Sequence, residues 1–189
     1  SDLACESLFV FNGTGSNIVA LQLMVRPFHS IICAETAHIY VDECGSPVKN
    51  TGAQIRPVLT PDGKLTPELI RPYLHGFGDQ HHSQPGAIYL SQCTELGTVY
   101  TPVELKALTS LAHEHGMYVH MDGARIANAC AYLKTSLKEI TADCGIDVLS
   151  FGGTKNGLMM GECVVIFNEE LKASAAFVRK QSAQLASKM

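Results

Sequence analysis

Short apolar runs alternate with helix-like stretches along the whole chain, and this rhythm constrains the fold more than any single motif does. Strands buried on both faces read as continuous apolar runs, and parallel neighbours need a crossover between them. The alternation therefore predicts an α/β fold with a mainly parallel sheet covered by helices on both faces. Strands are expected at Leu8 to Phe11, Ser30 to Cys33, Ala87 to Ser91, Met117 to Met121, Cys144 to Phe151 and Cys163 to Phe167. Helical runs are expected from Ile18 to Val25, from Thr66-Pro67, from Thr101 to Gly116, and in a last stretch holding Phe177 and Leu185. The Thr101-Pro102-Val103-Glu104 run has threonine, proline and glutamate where a capping box needs them. Glu35 to Gly52 is polar and Gly-containing and yields no assignment, whereas Thr60-Pro61-Asp62-Gly63 has the chemistry of a turn.

A chain of 189 residues, 46% of them hydrophobic, is long enough to bury one sizeable core, so residues 1–189 are read as a single domain. With 14 basic against 18 acidic residues there is no basic stripe, which argues against a nucleic acid or an anionic membrane as partner. No run of about 18 apolar residues predicts a spanning helix. Seven scattered cysteines without a C-x-x-C pair fit reduced thiols in a cytoplasmic setting better than zinc or a disulfide framework. No metal is expected: His81-His82 lacks a third ligand and reads as an exposed loop, and His113 and His115 read as solvated groups at a helix end. The chain opens at Ser1 without a signal-peptide pattern and stops at Met189 inside a helix-like stretch, which reads as part of a longer protein.

In open α/β sheets ligands gather beyond the carboxyl ends of the strands, and several reactive groups fall at those ends. Lys155 lies in Ser150-Phe151-Gly152-Gly153-Thr154-Lys155-Asn156-Gly157, directly after a strand-like run. A lysine held where solvent is limited and a polyanion lies nearby can lose its proton and form a Schiff base with a carbonyl, chemistry that points to pyridoxal phosphate. Asp122, in His120-Met121-Asp122-Gly123-Ala124-Arg125, has two readings. It is either a strand-end acid capping the next turn and paired with Arg125, or a buried carboxylate that keeps a pyridinium nitrogen protonated. Arg125 would then hold a ring oxygen or a substrate carboxylate. Gly13-Thr14-Gly15 opens a helix whose free amides, with the Thr14 hydroxyl, suit a phosphate. A dinucleotide fingerprint competes for the same glycines, because Glu35 follows Gly15 by twenty residues, although Ile18 stands where the third glycine belongs.

His120 to Ala129 together with Ser150 to Gly157 resembles the low-specificity L-threonine aldolases, pyridoxal-phosphate enzymes of fold type I. Phe11 to Asn17, Ala34 to Tyr40 and Ser91 to Thr98 agree in order, so the resemblance covers essentially the whole chain. It implies that Lys155 bears the cofactor, Asp122 faces the pyridine nitrogen, Arg125 contacts the ring oxygen or substrate carboxylate, and His38 stacks on the ring and helps move a proton. Gly13, Thr14 and Gly15 would cradle the phosphate, Thr154 would add a hydroxyl beside Lys155, and Glu95 would serve as a base or organise a water. The implied reaction is retro-aldol cleavage of a β-hydroxy amino acid, threonine or allo-threonine, to glycine and acetaldehyde. The resemblance also implies a homodimer or a dimer of dimers, and a further N-terminal segment and C-terminal small domain that this chain does not show. Another fold-type-I β-eliminating lyase and a non-catalytic cofactor-binding or oligomerisation fragment stay open as alternatives.

Overall fold

The computed structural model describes residues 5–187. Its centre is a seven-stranded sheet made of β1 (Glu6–Val10), β2 (His29–Ala34), β3 (Gln54–Val58), β4 (Gln84–Ser91), β5 (Tyr118–Gly123), β6 (Val148–Gly152) and β7 (Glu162–Ile166). The spatial order is β1-β7-β6-β5-β4-β2-β3. All neighbours are parallel except at β7, which runs antiparallel to both β6 and β1, so the expected mainly parallel α/β sheet is what forms.

Helices cover both faces. On one side lie α1 (Gly13–Met24), α3 (Ser46–Thr51) and α7 (Glu169–Gln181), which close a core with Ile31, Cys33, Ala87, Val148 and Val164. On the other, α4 (Pro67–Ile70), α5 (Pro102–Glu114) and α6 (Ile126–Leu133) pack on Ile32, Ile88, Leu90, Val119 and Met121. The single-turn α2 (His38–Val41) follows β2. Because side chains alternate along a strand, β4 and β5 supply one core with Ile88, Leu90, Val119 and Met121 and turn Tyr89, His120 and Asp122 to the opposite face, under α1.

Helix α1 connects edge strand β1 to β2, far across the sheet, and its course explains its composition. Twelve residues of helix span about 18 Å, and strands lie about 4.8 Å apart. The helix therefore crosses β7, β6 and β5 and contacts all three as well as α3 and α7. The second half of a helix enclosed in this way is apolar on nearly every side, and Val19, Ala20, Leu21, Leu23 and Met24 are all buried.

Several expectations shift. The first helix starts at Gly13, five residues before the apolar run that announces it, because Asn12 caps it by accepting the Gly15 amide at 2.7 Å. Strand β3 carries polar residues and Pro57 and escapes the apolar pattern; it is an edge strand, where a missing N–H is tolerated. The unassigned stretch before it holds α2 and α3, the latter bounded by Gly45 and Gly52 at φ 70° and 72°. Cys144 belongs to a 3-10 turn, Ala142–Cys144, and the strand begins at Val148. The last helix ends at Gln181, and Ala183 in the left-handed region turns the chain so that Leu185 lies beyond it. His113 is not merely solvated: its Nε2 lies 2.9 Å from Asp147 Oδ2.

The capping box at Thr101 is complete, with the Thr101 hydroxyl accepting the Glu104 amide and the Glu104 carboxylate accepting the Thr101 amide at 2.7 Å. Replacing Thr101 with alanine should lower stability by about 1 kcal/mol in urea unfolding without changing the slope of the transition.

Candidate functional site

The site sits at the carboxyl edge of the sheet, where β4, β5 and β6 end together beside the start of α1. Ser91, Asp122 and Ser150 are in register on these three strands and share the face toward α1. One cleft is lined by Gly13, Asn17, His38, Glu95, Asp122 and Arg125, and Lys155 reaches it from the loop after β6. Residues more than a hundred positions apart thus meet at one edge, as the strand ends predict.

Asp122 is the best-held group. Its Oδ2 accepts the Tyr89 hydroxyl at 2.6 Å and the Asn17 amide at 3.1 Å, while Oδ1 accepts the Ala124 amide at 2.9 Å. Burial alone would push the carboxyl up, but the donors from Tyr89, Ala124 and Asn17, with His120 nearby, outweigh it and hold Asp122 below the usual aspartate value. It therefore stays ionised without forming an ion pair. Its turn-capping bond to Ala124 is real, whereas the expected pairing with Arg125 does not form.

A second layer fixes the donors. The Ser150 hydroxyl donates to Asn17 Oδ1 at 2.9 Å and accepts from Ser16 at 2.8 Å. Its single proton is thereby committed, so His120 Nε2, 2.9 Å away, must donate to it. His120 is consequently the neutral Nε2–H tautomer, and its buried Nδ1 has no partner. Burial, opposed by the Asp122 charge, brings its pKa down to about 4. On the cleft's other side His38 Nδ1 lies 2.9 Å from the Oε1 of buried Glu43, and Asn17 bonds that same oxygen at 2.8 Å. Glu95 Oε1 accepts the His38 amide at 3.0 Å and the Ser91 hydroxyl at 2.7 Å.

Three expectations need correction, and the competing dinucleotide reading can be tested. Lys155 is exposed, not shielded: β6 ends at Gly152, and the 3-10 turn Thr154–Asn156 carries the lysine outward. The Thr154 hydroxyl is spent on Gly161, accepting its amide at 3.2 Å and donating to its carbonyl at 3.3 Å. The Gly15 amide is taken by Asn12, and the Gln184 side chain fills the space where a Cβ would stand. That leaves the amides of Gly13 and Thr14 at the helix start, with nothing within 4 Å of a Cβ built on Gly13. Finally, the dinucleotide reading fails on topology: that fold needs its first two strands adjacent, and here β7, β6, β5 and β4 separate β1 from β2. Glu35 accepts the Thr60 hydroxyl at 2.9 Å and does not line the cleft.

Asn17, Glu43, Tyr89, His120 and Ser150 make up the network; Glu43 and Tyr89 lie in no motif, and Asn17, His120 and Ser150 stand in motif segments that give no cue to this role. The alternation His120-x-Asp122 within β5 is the one signal that would have placed His120 on the aspartate's face. No group of three or more metal-ligating side chains occurs among the described residues, and none of their helices is long and apolar enough to cross a membrane.

The residues present fit pyridoxal phosphate: an ionised buried carboxylate, an amine in the same cleft, and open helix-start amides beside an empty space at Gly13. The fold is shared with an aspartate aminotransferase of Thermus thermophilus at a TM-score of 0.66 and 18% identity, over 95% of this chain and 46% of that one. It is thus the large-domain fold of the fold-type-I pyridoxal-phosphate enzymes. Residues 4–189 match the beta-eliminating lyase family, and the chain belongs to that family. It is 47% identical over 186 residues to a low specificity L-threonine aldolase of Pseudomonas aeruginosa, covering 98% of this chain and 54% of that protein. A threonine aldolase structure from Leishmania major superposes with a TM-score of 0.88 at 34% identity, over 96% of this chain and 53% of that one. The chain spans about half the length of the relatives it matches.

Unfolded His120 takes up a proton near pH 6.5, whereas the buried ring does so only at about 4. The unfolded state binds more protons in that window, so stability should fall as pH drops through it, by on the order of 3 kcal/mol from this group. Asp122, also depressed, adds a further loss at lower pH, while Glu43, which burial pushes up, acts in the opposite sense. Urea unfolding from pH 7 to 4 should therefore give a steeper decline in the wild type than in His120→Asn.

Proposed function

We propose that the protein containing this chain is a pyridoxal-phosphate-dependent aldehyde-lyase that cleaves L-threonine and L-allo-threonine to glycine and acetaldehyde. The observation that carries this reading is the ionised, buried Asp122 sharing one cleft with Lys155 and His38. Its likeness to threonine aldolases over nearly its whole length supports the substrate class.

The cofactor, when bound, supplies an electron sink for the pair released as the Cα–Cβ bond breaks. Lys155 Nζ would bear its aldehyde carbon, and the Gly13 and Thr14 amides with the Thr14 hydroxyl would receive its phosphate. Asp122, kept ionised by Tyr89, Asn17 and Ala124, would hold a proton on the ring nitrogen. His38 would pack on the ring. Arg125, which has no ion-pair partner among the described residues, is left to bind a ring oxygen or a substrate carboxylate. The β-hydroxyl proton would pass to His38 or Glu95, directly or through a water that Glu95 organises. Exposed Leu158, Met159 and Met160 follow Lys155 and support a homodimer or dimer of dimers in which a second copy borders the site. Seven free cysteines support a cytoplasmic location.

Purified protein should be coloured, and borohydride reduction followed by peptide mapping should leave a pyridoxyl label on Lys155 alone. Threonine should yield acetaldehyde; pyruvate and ammonia from another amino acid would point to a different β-eliminating lyase. Asp122→Asn keeps the shape and removes the charge, a loss of roughly 3 kcal/mol or more at a desolvated site. Turnover should fall by about two orders of magnitude or more while cofactor binding weakens modestly. Near-normal turnover would reduce Asp122 to a turn residue.

A further inference from the structure

Glu43 is buried in a short stretch without helical or strand pattern and belongs to no motif, yet it stands between the two sides of the cleft. Its Oε1 faces His38 Nδ1 at 2.9 Å and accepts the Asn17 amide at 2.8 Å; the same Asn17 nitrogen bonds Asp122 Oδ2 at 3.1 Å. Its Oε2 is buried without a partner, so every hydrogen bond of the Glu43 side chain runs through one oxygen. His38 Nε2 has no protein partner among the described residues, and the ring lines the cleft. The other charged or titratable groups there are Cys93, Glu95, Asp122, Arg125 and Lys155. Of these, Glu95 touches His38 only through its backbone amide, so the ring takes its orientation from Glu43.

We infer that Glu43 is a positioning residue: by accepting His38 Nδ1–H it fixes the imidazole's tautomer and plane and turns the Nε2 lone pair into the cleft. Physically this is the carboxylate–histidine pairing that fixes which ring nitrogen is free to act; at metal-bound histidines, removal of such a partner costs about 10–100-fold in affinity or activity, and a loss of that order is expected here. Asn17 ties this pair to Asp122, so His38 and Asp122 hang on one hydrogen-bond chain. Oε1 already accepts the Asn17 amide, as an ionised carboxylate oxygen does, and so takes the Nδ1 proton as well; the opposite arrangement, with Glu43 protonated and donating to a bare Nδ1, would leave Nε2–H in the cleft.

The consequence for rate rests on the aldolase reading; the tautomer does not. Imidazole nitrogen–proton correlation spectra of the protein without added cofactor should show His38 as the Nδ1–H tautomer in the wild type. Glu43→Gln keeps an oxygen at the Oε1 position and should retain that tautomer, with kcat within a few-fold of wild type. Glu43→Ala should lose the tautomer and drop kcat by about 10–100-fold, with a smaller change in KM. An Nε2–H ring in the wild type would overturn the inference even if the alanine variant did not fold. So would an alanine variant that keeps Nδ1–H, or a glutamine variant as slow as the alanine one. If the tautomer follows Glu43 as stated but no threonine is cleaved, the positioning role stands and the aldolase reading is what fails.

Discussion

A carboxylate taken out of water must be met by donors, and much of this molecule is arranged so that Asp122 is. The three donors come from three elements: Tyr89 from β4, Asn17 from α1 and the Ala124 amide from the turn after β5. Helix α1 brings Asn17 into reach only because it crosses the sheet rather than lying beside its own strand. The residue after the aspartate is equally constrained, since a Cβ on Gly123 would sit 2.6 Å from Leu149 Cδ1 and 2.9 Å from the Ser150 carbonyl. The strand ends carrying the acid and the lysine loop can therefore lie side by side.

The result is a charge held by neutral donors, which leaves it available to a ligand. An ion pair would have neutralised Asp122 but also occupied it, and Arg125, three residues on, would have been the obvious partner. The backbone sends Asp122 under α1 and Arg125 to the surface at the start of α6 instead. Cation and anion thus stay separate within one cleft, each free for a different part of a bound molecule.

What the sequence discloses and what it hides divide along physical lines. The central strands β2, β4, β5, β6 and β7 carry apolar runs and announce themselves; edge strand β3, with Pro57, does not. The residues at strand ends, Lys155, Asp122 and Arg125, can be found because their neighbours form motifs. Asn17, Glu43, Tyr89 and Ser150 are ordinary polar residues whose meaning comes only from strand register and from the diagonal path of α1, both of them long-range. Gly15 misleads for a related reason: its local spacing suits a phosphate loop, but Asn12 and Gln184 have already claimed its surroundings.

The placement of β1 bears on how the chain is made. Among the described residues its only neighbour in the sheet is β7, the strand farthest from it along the chain. During synthesis β1 and the largely apolar α1 emerge before β7 and have no lasting place until the strands between them have been made. Non-local pairing of this kind is slow, and waiting apolar segments are exposed to aggregation. Asn17 rides on that helix, so one of the three donors to Asp122 is placed only when α1 settles across β7, β6 and β5, and until then Tyr89 and the Ala124 amide hold the charge alone.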